Sequence, residues 1–582
     1  MPKTDLILLH PPALYDFREE PTMLGPVSDL IPSGPVFEFY PIGFTTISDY
    51  LERHGLSVRI INVALKMLNN RSFSVEKLIS SLNPIAFGID LHWMPHVQGA
   101  LALAEIVKKY HPQIPIIMGG LSASYFHEEL IGNYPFLDYV VRGDSTEPPL
   151  CDLIKTIKAG QTPKDIPNVT WRGKDGSIQV NPLTHVPLDL NSVVVDYAHI
   201  MKKVIKYRDL SGYMPYQDWL NYPAAAIFSV RGCTYNCKTC GGSAYAFGKV
   251  CNRPKPAYRD PELIAEDAKA IEGILNGPII IIGDLMQPGE DYVKALFKAI
   301  KKKKISNQLA VEFFAPPPTE ILEIIADAVP KFNIEISIES HEEKVRRAFG
   351  RPYDNKSFEK MLSDAFKLDC QRFDIFFMTG LPEQTNFSIQ ETAKYSGELF
   401  RLVGEKYAKK VIPFISPLAP FVDPGSIVFE NPERHGYKLF HKTVEEHRKA
   451  IAESPSWKYI LNYETKWMSR DEIVYGTYDA ALTLNRVKAE YKVIDGNLAQ
   501  QTEVRAREAI GMMHKIDDLM EKHQDPIQVK KELLREKQKI EGLNASTICE
   551  KKELEWPTKL FKMNLFKVLR TLIKKRDPRI LQ

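Results

Sequence analysis

A chain of 582 residues is long enough for several full cores, and 76 Lys and Arg against 73 Asp and Glu leave a net charge of only +3, so no global charge directs it to nucleic acid. No apolar run approaches the roughly 20 residues of a membrane span, and the longest, around Pro278 to Ile282, reads as a buried strand. No secretory signal stands at the start and four of the seven cysteines (Cys151, Cys251, Cys370, Cys549) are scattered. A disulfide framework is therefore not expected, and the protein reads as a large cytoplasmic one.

From Asp5 onward short apolar runs alternate with helical patterns: Leu6 to Leu9, then Phe44 to His54; Val58 to Val63, then Val75 to Ser81; Ala86 to Leu91, then Val97 to Tyr110. Ile114 to Met118 and Tyr139 to Val141 follow, with a helix over Tyr125 to Ile131 between them. Five strands in this order predict an α/β, doubly wound parallel sheet, which binds ligands at the carboxyl ends of its strands. Those ends carry His10-Pro11-Pro12, Asp90-Leu91-His92-Trp93, Gly119-Gly120-Leu121-Ser122 and Arg142-Gly143-Asp144 with Glu147. Gly119-Gly120 allows close approach to the backbone by a ligand, or serves only as a tight strand-to-helix turn. No GxGxxG follows the first strand, which argues against a dinucleotide site.

Residues 156–222 read as a linker, with a hairpin over Val169 to Val180 turning at Lys174-Asp175-Gly176. A second strand series begins at Ala224 to Val230 and continues through Ile279 to Ile282, Ala310 to Phe314, Asn333 to Ile338, Phe373 to Met378 and Val411 to Ile415. Helices over Pro261 to Leu275, Asp291 to Lys302 and Asn355 to Leu368 separate them, so a partial barrel is expected with its chemistry at the carboxyl strand ends. Directly after the first of these strands, RGCTYNCKTCGGS holds Cys233, Cys237 and Cys240 at spacings of four and three. Zinc usually takes four protein ligands, and no second Cys or His pair stands at a suitable distance. Three thiolates on one loop suit three irons of a cubane, leaving the fourth iron open.

The run Lys301 to Lys304 reads as a solvated helix end, and Cys251 and Cys370 as packing residues. Beyond about Pro417 a helical region is expected, through Asp471 to Tyr491, Glu503 to Lys522 and Ile527 to Glu541. Its aromatic residues, Trp457, Tyr459, Tyr463, Trp467, Tyr475 and Tyr478, read chiefly as core and otherwise as a cover over the barrel mouth. Lys559 to Arg579 carries eight Lys and Arg against one Asp with apolar residues at helical spacing. This basic amphipathic helix docks on the protein's own surface or, in the second reading, makes peripheral contact with an anionic membrane.

The CxxxCxxC loop resembles that of the radical S-adenosylmethionine (SAM) enzymes, in which the open iron of a [4Fe-4S] cluster chelates SAM; Thr239 stands where most members have an aromatic residue. By the same resemblance Gly283 and Asp284 match the Gly-Gly-Glu segment that receives the SAM amino group. Ser337, Glu339 and Ser340 match the ribose and carboxylate segment, and Gly380, Pro382 and Glu383 the segment beside the adenine. Residues 1–155 resemble the cobalamin-binding domain found ahead of many such cores, which makes Pro12, Leu91, His92, Gly119, Gly120, Ser122, Gly143 and Glu147 candidate cobalamin contacts. The mutase-type Asp-x-His-x-x-Gly loop is absent after the first strand, and Pro95 stands where Asp90-Leu91-His92 would need glycine. The expectation is cobalamin bound base-off without a histidine ligand, with His92 structural or against the corrin edge.

The whole resembles a cobalamin-dependent radical SAM enzyme of the class B methylase kind, divided as 1–155 cobalamin domain, 156–222 linker, 223–418 radical SAM core and 419–582 helical region. That resemblance implies one iron-sulfur centre, an anaerobic or well-reduced cell, an electron donor such as flavodoxin or ferredoxin, and methylation of a poorly activated carbon. A 5'-deoxyadenosyl radical would abstract hydrogen, and the substrate radical would take the methyl group of methylcobalamin. The substrate stays open among a protein side chain, a peptide, a lipid and a small metabolite. The alternatives are another radical reaction with the same cofactors, such as cyclisation, oxidation or carbon-carbon coupling, and a non-catalytic cobalamin or redox sensor.

Overall fold

A computed structural model describes residues 4–25, 42–217, 219–417 and 421–544. The first sheet contains β1 (Thr4–His10), β2 (Val58–Asn62), β3 (Pro84–Asp90), β4 (Ile116–Gly119) and β5 (Tyr139–Val141), followed by β6 (Val169–Arg172) and β7 (Ile178–Val180). Its order is β2-β1-β3-β4-β5-β6-β7, parallel through β5. Apolar residues on both faces of β1 and β3 are buried beneath helices, as crossovers on two sides of a sheet require. Winding reverses between β1 and β3, the place where sheets of this order open a ligand crevice.

Two expectations differ from the structure. The hairpin read as part of a linker instead extends the first sheet, because β6 pairs antiparallel with β5 through Tyr139↔Trp171 and Val141↔Val169. The single helix expected over Tyr125 to Ile131 is two short ones, Leu121–Tyr125 and His127–Asn133, broken at Phe126.

The second sheet is six-stranded and parallel, in the order β15-β14-β13-β12-β11-β8. Its strands are β8 (Ala225–Phe228), β11 (Ile279–Asp284), β12 (Leu309–Phe313), β13 (Phe332–Glu339), β14 (Arg372–Thr379) and β15 (Val411–Pro417). A short antiparallel pair, β9 (Val230–Arg231) with β10 (Ala257–Tyr258), closes off the loop after β8. Alternate residues such as Ile281, Val311, Ile334, Ile336 and Ile375 are fully buried against the outer helices. The intervening Ile282, Glu312, Glu335, Ser337 and Phe376 are only partly buried, so the inner face lines an open lumen.

Helices Arg470–Glu490, Gly496–His523, Pro526–Leu533 and Lys537–Asn544 complete the described chain. They do not stand apart: Met513, Ile516 and Ile540 share one core with Ile7 and Leu9 of β1. Trp457, Tyr463 and Tyr478 are fully buried in it, as the core reading expected. Gly25 lies against Trp457 so closely that a Cβ there would overlap the indole. Lys301 to Lys303 pair at the surface with Asp327, Glu262 and Glu266. Among the described residues no helix is long and apolar enough to cross a membrane; Lys559 to Arg579 and Cys549 lie outside them.

Candidate active site

The three-cysteine loop leaves β8 at the carboxyl end of the barrel and is held by backbone from three directions. Lys238 N–H donates to the Phe349 carbonyl (2.9 Å), and Val428 N–H to the Lys238 carbonyl (3.0 Å). Asp423 donates its N–H to the Thr239 carbonyl (3.2 Å) and accepts from Gly241 N–H at Oδ2 (2.8 Å). Gly350, at φ +124°, approaches so near that a Cβ would stand 3.0 Å from the Asn236 carbonyl oxygen.

Tyr235 N–H donates to Cys233 Sγ (3.4 Å) and Gly242 N–H to Cys240 Sγ (3.2 Å), contacts that favour thiolate. Burial acts the other way, pushing the Cys237 thiol up to about 11 and Cys240 well above its ordinary value, while the Arg351 charge partly offsets it at Cys233 and Cys237. Thiols held in this way become thiolates on binding metal. Among the described residues no three His, Cys, Asp or Glu side chains converge as donors to one ion. A cubane, in which each thiolate takes its own iron, fits that spacing, whereas a single zinc does not. Cys151, Cys251 and Cys370 are buried, and Cys370 Sγ–H donates to the Arg372 carbonyl (3.1 Å).

The neighbouring strand ends bring two carboxylates toward this loop. Asp284 is 1% exposed; its Oδ1 accepts from Met286 N–H (2.9 Å), its Oδ2 has no hydrogen-bond partner, and burial pushes it up to about 6. Glu339, also 1% exposed, has φ +65°, an unpartnered Oε2, and is pushed up to about 7 by burial against the pull of Arg351, 3.5 Å from its Oε1. Each acid thus keeps one buried oxygen that no donor among the described residues meets. Gly283, at φ +104°, donates its N–H to Glu312 Oε2 (2.9 Å).

Ser337 faces the lumen, whereas Ser340 is enclosed, its carbonyl accepting from Arg346 Nη1 (2.8 Å) and its hydroxyl from Glu342 N–H (3.2 Å). Gly380, at φ +85°, lies under Tyr463 and its carbonyl accepts from the Tyr437 hydroxyl (2.9 Å). Pro382 is buried, and Glu383 pairs with Lys344 (3.1 Å) at the surface. Sequence reading missed Arg351, whose guanidinium stacks over Phe314 (4.3 Å) and Tyr235 (5.1 Å) and donates to the Phe314 carbonyl (2.8 Å). Only the folded proximity of FGRPY to the cysteine loop reveals it.

At the first sheet's crevice His10 Nδ1 and Asp90 Oδ1 meet at 3.1 Å, joining β1 to β3 where the winding reverses; both stand among the strand-end residues read from the sequence, but their pairing was not legible there. Pro12 and Leu91 are buried beside it. Gly120, at φ +115°, has the His92 backbone where a Cβ would go, at 2.6 Å, so its glycine serves packing between loops; beside Gly119 that space is open apart from the Val141 carbonyl at 3.6 Å. Ser122 is drawn inward, its N–H and hydroxyl both donating to the His92 carbonyl (3.1 and 3.0 Å). Burial pulls the His92 imidazole down to about 4, leaving it neutral near pH 7.

Gly143, at φ +95°, donates its N–H to Ser124 Oγ (2.9 Å). Glu147 is committed elsewhere: it accepts from Arg231 Nη1 and Nη2 (3.0 and 2.5 Å) and from Thr46 Oγ1 (2.7 Å). Asp144 pairs with Arg253 (3.0 Å from Nη2 to Oδ1). Since Arg231 lies two residues before Cys233, and Arg253 just beyond the helix Ala244–Cys251, the loop after β5 clasps the cysteine segment at both ends.

A doubly wound domain is thus tied, through the loop after its fifth strand, to a three-cysteine loop on a partial barrel. The B12 binding domain family matches residues 35–150, and the Radical SAM superfamily residues 227–396. The chain is thus one in which a B12 binding domain precedes a radical SAM domain, the make-up of the cobalamin-dependent radical SAM enzymes. The cofactors of these domains are cobalamin, a [4Fe-4S] cluster and SAM. The cytidylyl-2-hydroxyethylphosphonate methyltransferase of Streptomyces wedmorensis is 20% identical over 457 residues, 68% of this chain and 81% of that protein. The methyltransferase TsrM of Kitasatospora setae, solved with cobalamin and a [4Fe-4S] cluster bound, has a TM-score of 0.56 at 14% identity, covering 85% of this chain and 90% of its own. OxsB, solved with aqua-cobalamin and SAM bound, also has a TM-score of 0.56 at 14% identity, over 98% of this chain and 84% of its own. At these identities the structural likeness establishes the fold.

Proposed function

We propose that this protein transfers a methyl group from SAM, by way of cobalamin, to a poorly activated carbon of its substrate. The observation that carries the reading is the clasp of Glu147 on Arg231 and Asp144 on Arg253, which ties the carboxyl end of β5 in the first domain to the cysteine segment of the second. When bound, the reduced cluster and SAM supply hydrogen abstraction and the cobalamin carries the methyl group. Cys233, Cys237 and Cys240 hold three irons. The free Oδ2 of Asp284 would receive the SAM ammonium, and Arg351 and Glu339 would meet its carboxylate and ribose.

His10, Asp90 and the loop Leu91–His92 shape the cobalamin crevice. Without an Asp-x-His-x-x-Gly loop after β1, and with Pro95 where that motif would need glycine, cobalamin would be held base-off and without a histidine ligand, His92 standing as a structural residue whose carbonyl is fixed by Ser122. A small reduced protein such as flavodoxin or ferredoxin supplies electrons, and the reaction runs in a reducing cytoplasm. The likeness to the cytidylyl-2-hydroxyethylphosphonate methyltransferase, and to the hopanoid C-3 methylase of Methylococcus capsulatus (24% identical over 279 residues, 47% of this chain and 47% of that protein), supports methylation of a small molecule or lipid.

Anaerobic turnover with methyl-labelled SAM, a strong reductant and a host-cell extract tests this. The expected result is 5'-deoxyadenosine and S-adenosylhomocysteine together, with label on carbon in one extract component. Formation of 5'-deoxyadenosine without transferred label would replace methylation by another radical reaction.

A further inference from the structure

Inward-facing residues of the barrel stack in rows, because parallel strands in register place side chains at one level. Glu312 of β12, Glu335 of β13 and Asp374 of β14 form one such row, joined by the pairings Glu312↔Glu335 and Glu335↔Asp374. Asp374 is neutralised by Arg372, whose Nε lies 3.0 and 2.8 Å from its two oxygens. Glu312 receives a single backbone N–H, from Gly283. The Glu335 side chain accepts no hydrogen bond and makes no ion pair among the described residues, though its strand neighbours on either side are acids. Burial and those two acids drive its carboxyl well above the ordinary range, against the pull of the Arg372 charge one row below.

A second observation points to a ligand. Asn333, one row below on the same face of β13, is fully buried and its Oδ1 has no partner. The lower lumen therefore offers acceptors in excess. One row above Glu335 stand Ser337 and the stacked rings of Phe376 and Phe414, 5.4 Å apart at 14°. Two carboxylates in one row, roofed by aromatic faces, match a group that is cationic, rich in N–H donors and carried on an apolar body. A neutral hydroxyl would bring no charge to offset ionisation of two adjacent buried carboxyls, whereas a cation would, and among the described residues no three metal-binding side chains converge as donors to one ion.

We propose that Glu335, with Glu312 beside it, receives a protonated nitrogen of the substrate, an amine or guanidinium borne on an apolar or aromatic body. This inference rests on the reading that substrate enters the radical SAM barrel and names its chemical class. Glu335 stands four residue steps below Glu339 at the rim, at most about 13 Å at ~3.3 Å per step, since the strand bulges between Ser337 and Glu339. The reacting carbon consequently lies several bonds from the nitrogen.

The test is calorimetric titration of the anaerobically reconstituted full chain, with SAM bound, using phenethylamine, phenethyl alcohol and phenylpropionate as probes. The amine is expected to saturate the protein and to bind at least about tenfold more tightly than the alcohol, with no binding of the acid. Glu335→Gln should weaken the amine at least about tenfold while leaving the alcohol unchanged. Equal binding of amine and alcohol, no saturation by the amine, or an unaltered amine affinity in Glu335→Gln overturns the proposal. Reductive SAM cleavage, scored in the same wild-type preparations, separates the two readings. Cleavage without amine selectivity sinks the substrate class alone, and amine selectivity without cleavage sinks the proposed reaction alone.

Discussion

Asp284 and Glu339 each keep one buried oxygen without a partner beside the cysteine loop, a cost that a bound ammonium or hydroxyl would offset. Asp284→Asn should weaken SAM binding by roughly 10- to 100-fold, the scale of one charge-assisted hydrogen bond, measured by equilibrium dialysis. The pH dependence follows from the upward shift. Folded Asp284 holds its proton up to about 6 against an ordinary 3.8, so ionising it costs stability as pH rises through that window. For the ligand the sign is opposite: below about pH 6 the carboxylate charge is lost, and SAM affinity should fall as pH falls. An affinity flat from pH 5 to pH 8 (roughly one unit below to two above that value) would remove Asp284 from the site.

At the scale of the element, the clasp from the loop after β5 is a buried ion pair, and its parts are unequal to its whole. Removing one partner leaves an uncompensated buried charge, so Glu147→Leu or Arg231→Leu should each destabilise by about 3–5 kcal/mol, whereas the two together should cost less than the sum. A double-mutant cycle by denaturant unfolding reads this; strict additivity would mean that the pair contributes no coupling. Gly120→Ala meets the His92 backbone as well as a positive φ, and should lower both melting temperature and cobalamin retention, followed by cobalt content after gel filtration.

These elements also show what the chain discloses by itself. Buried parallel strands read directly as apolar runs, so β1 to β5 and the six barrel strands were legible within a few residues, and the cysteine spacing was legible as chemistry. The pairing of β6 with β5, the commitment of Glu147 to Arg231, the place of Arg351 and the row Glu312-Glu335-Asp374 were not. Each depends on register or contact between segments distant in sequence, which local pattern does not carry.

In the whole molecule, the helical C-terminal region shares its core with β1, so the cobalamin crevice, the barrel and the helical region should unfold together rather than as separable units. The central claim is that one chain builds two cofactor sites side by side. Reconstituting the full chain with iron, sulfide and cobalamin, then measuring iron, cobalt and the electron paramagnetic resonance of the cob(II)alamin form, tests it most directly. About four irons and one cobalt per chain are predicted, with no nitrogen splitting on cobalt. Alanine at Cys233, Cys237 and Cys240 should abolish the iron and spare the cobalt. Iron that survives loss of the three cysteines, or cobalt that is not retained, would contradict the account.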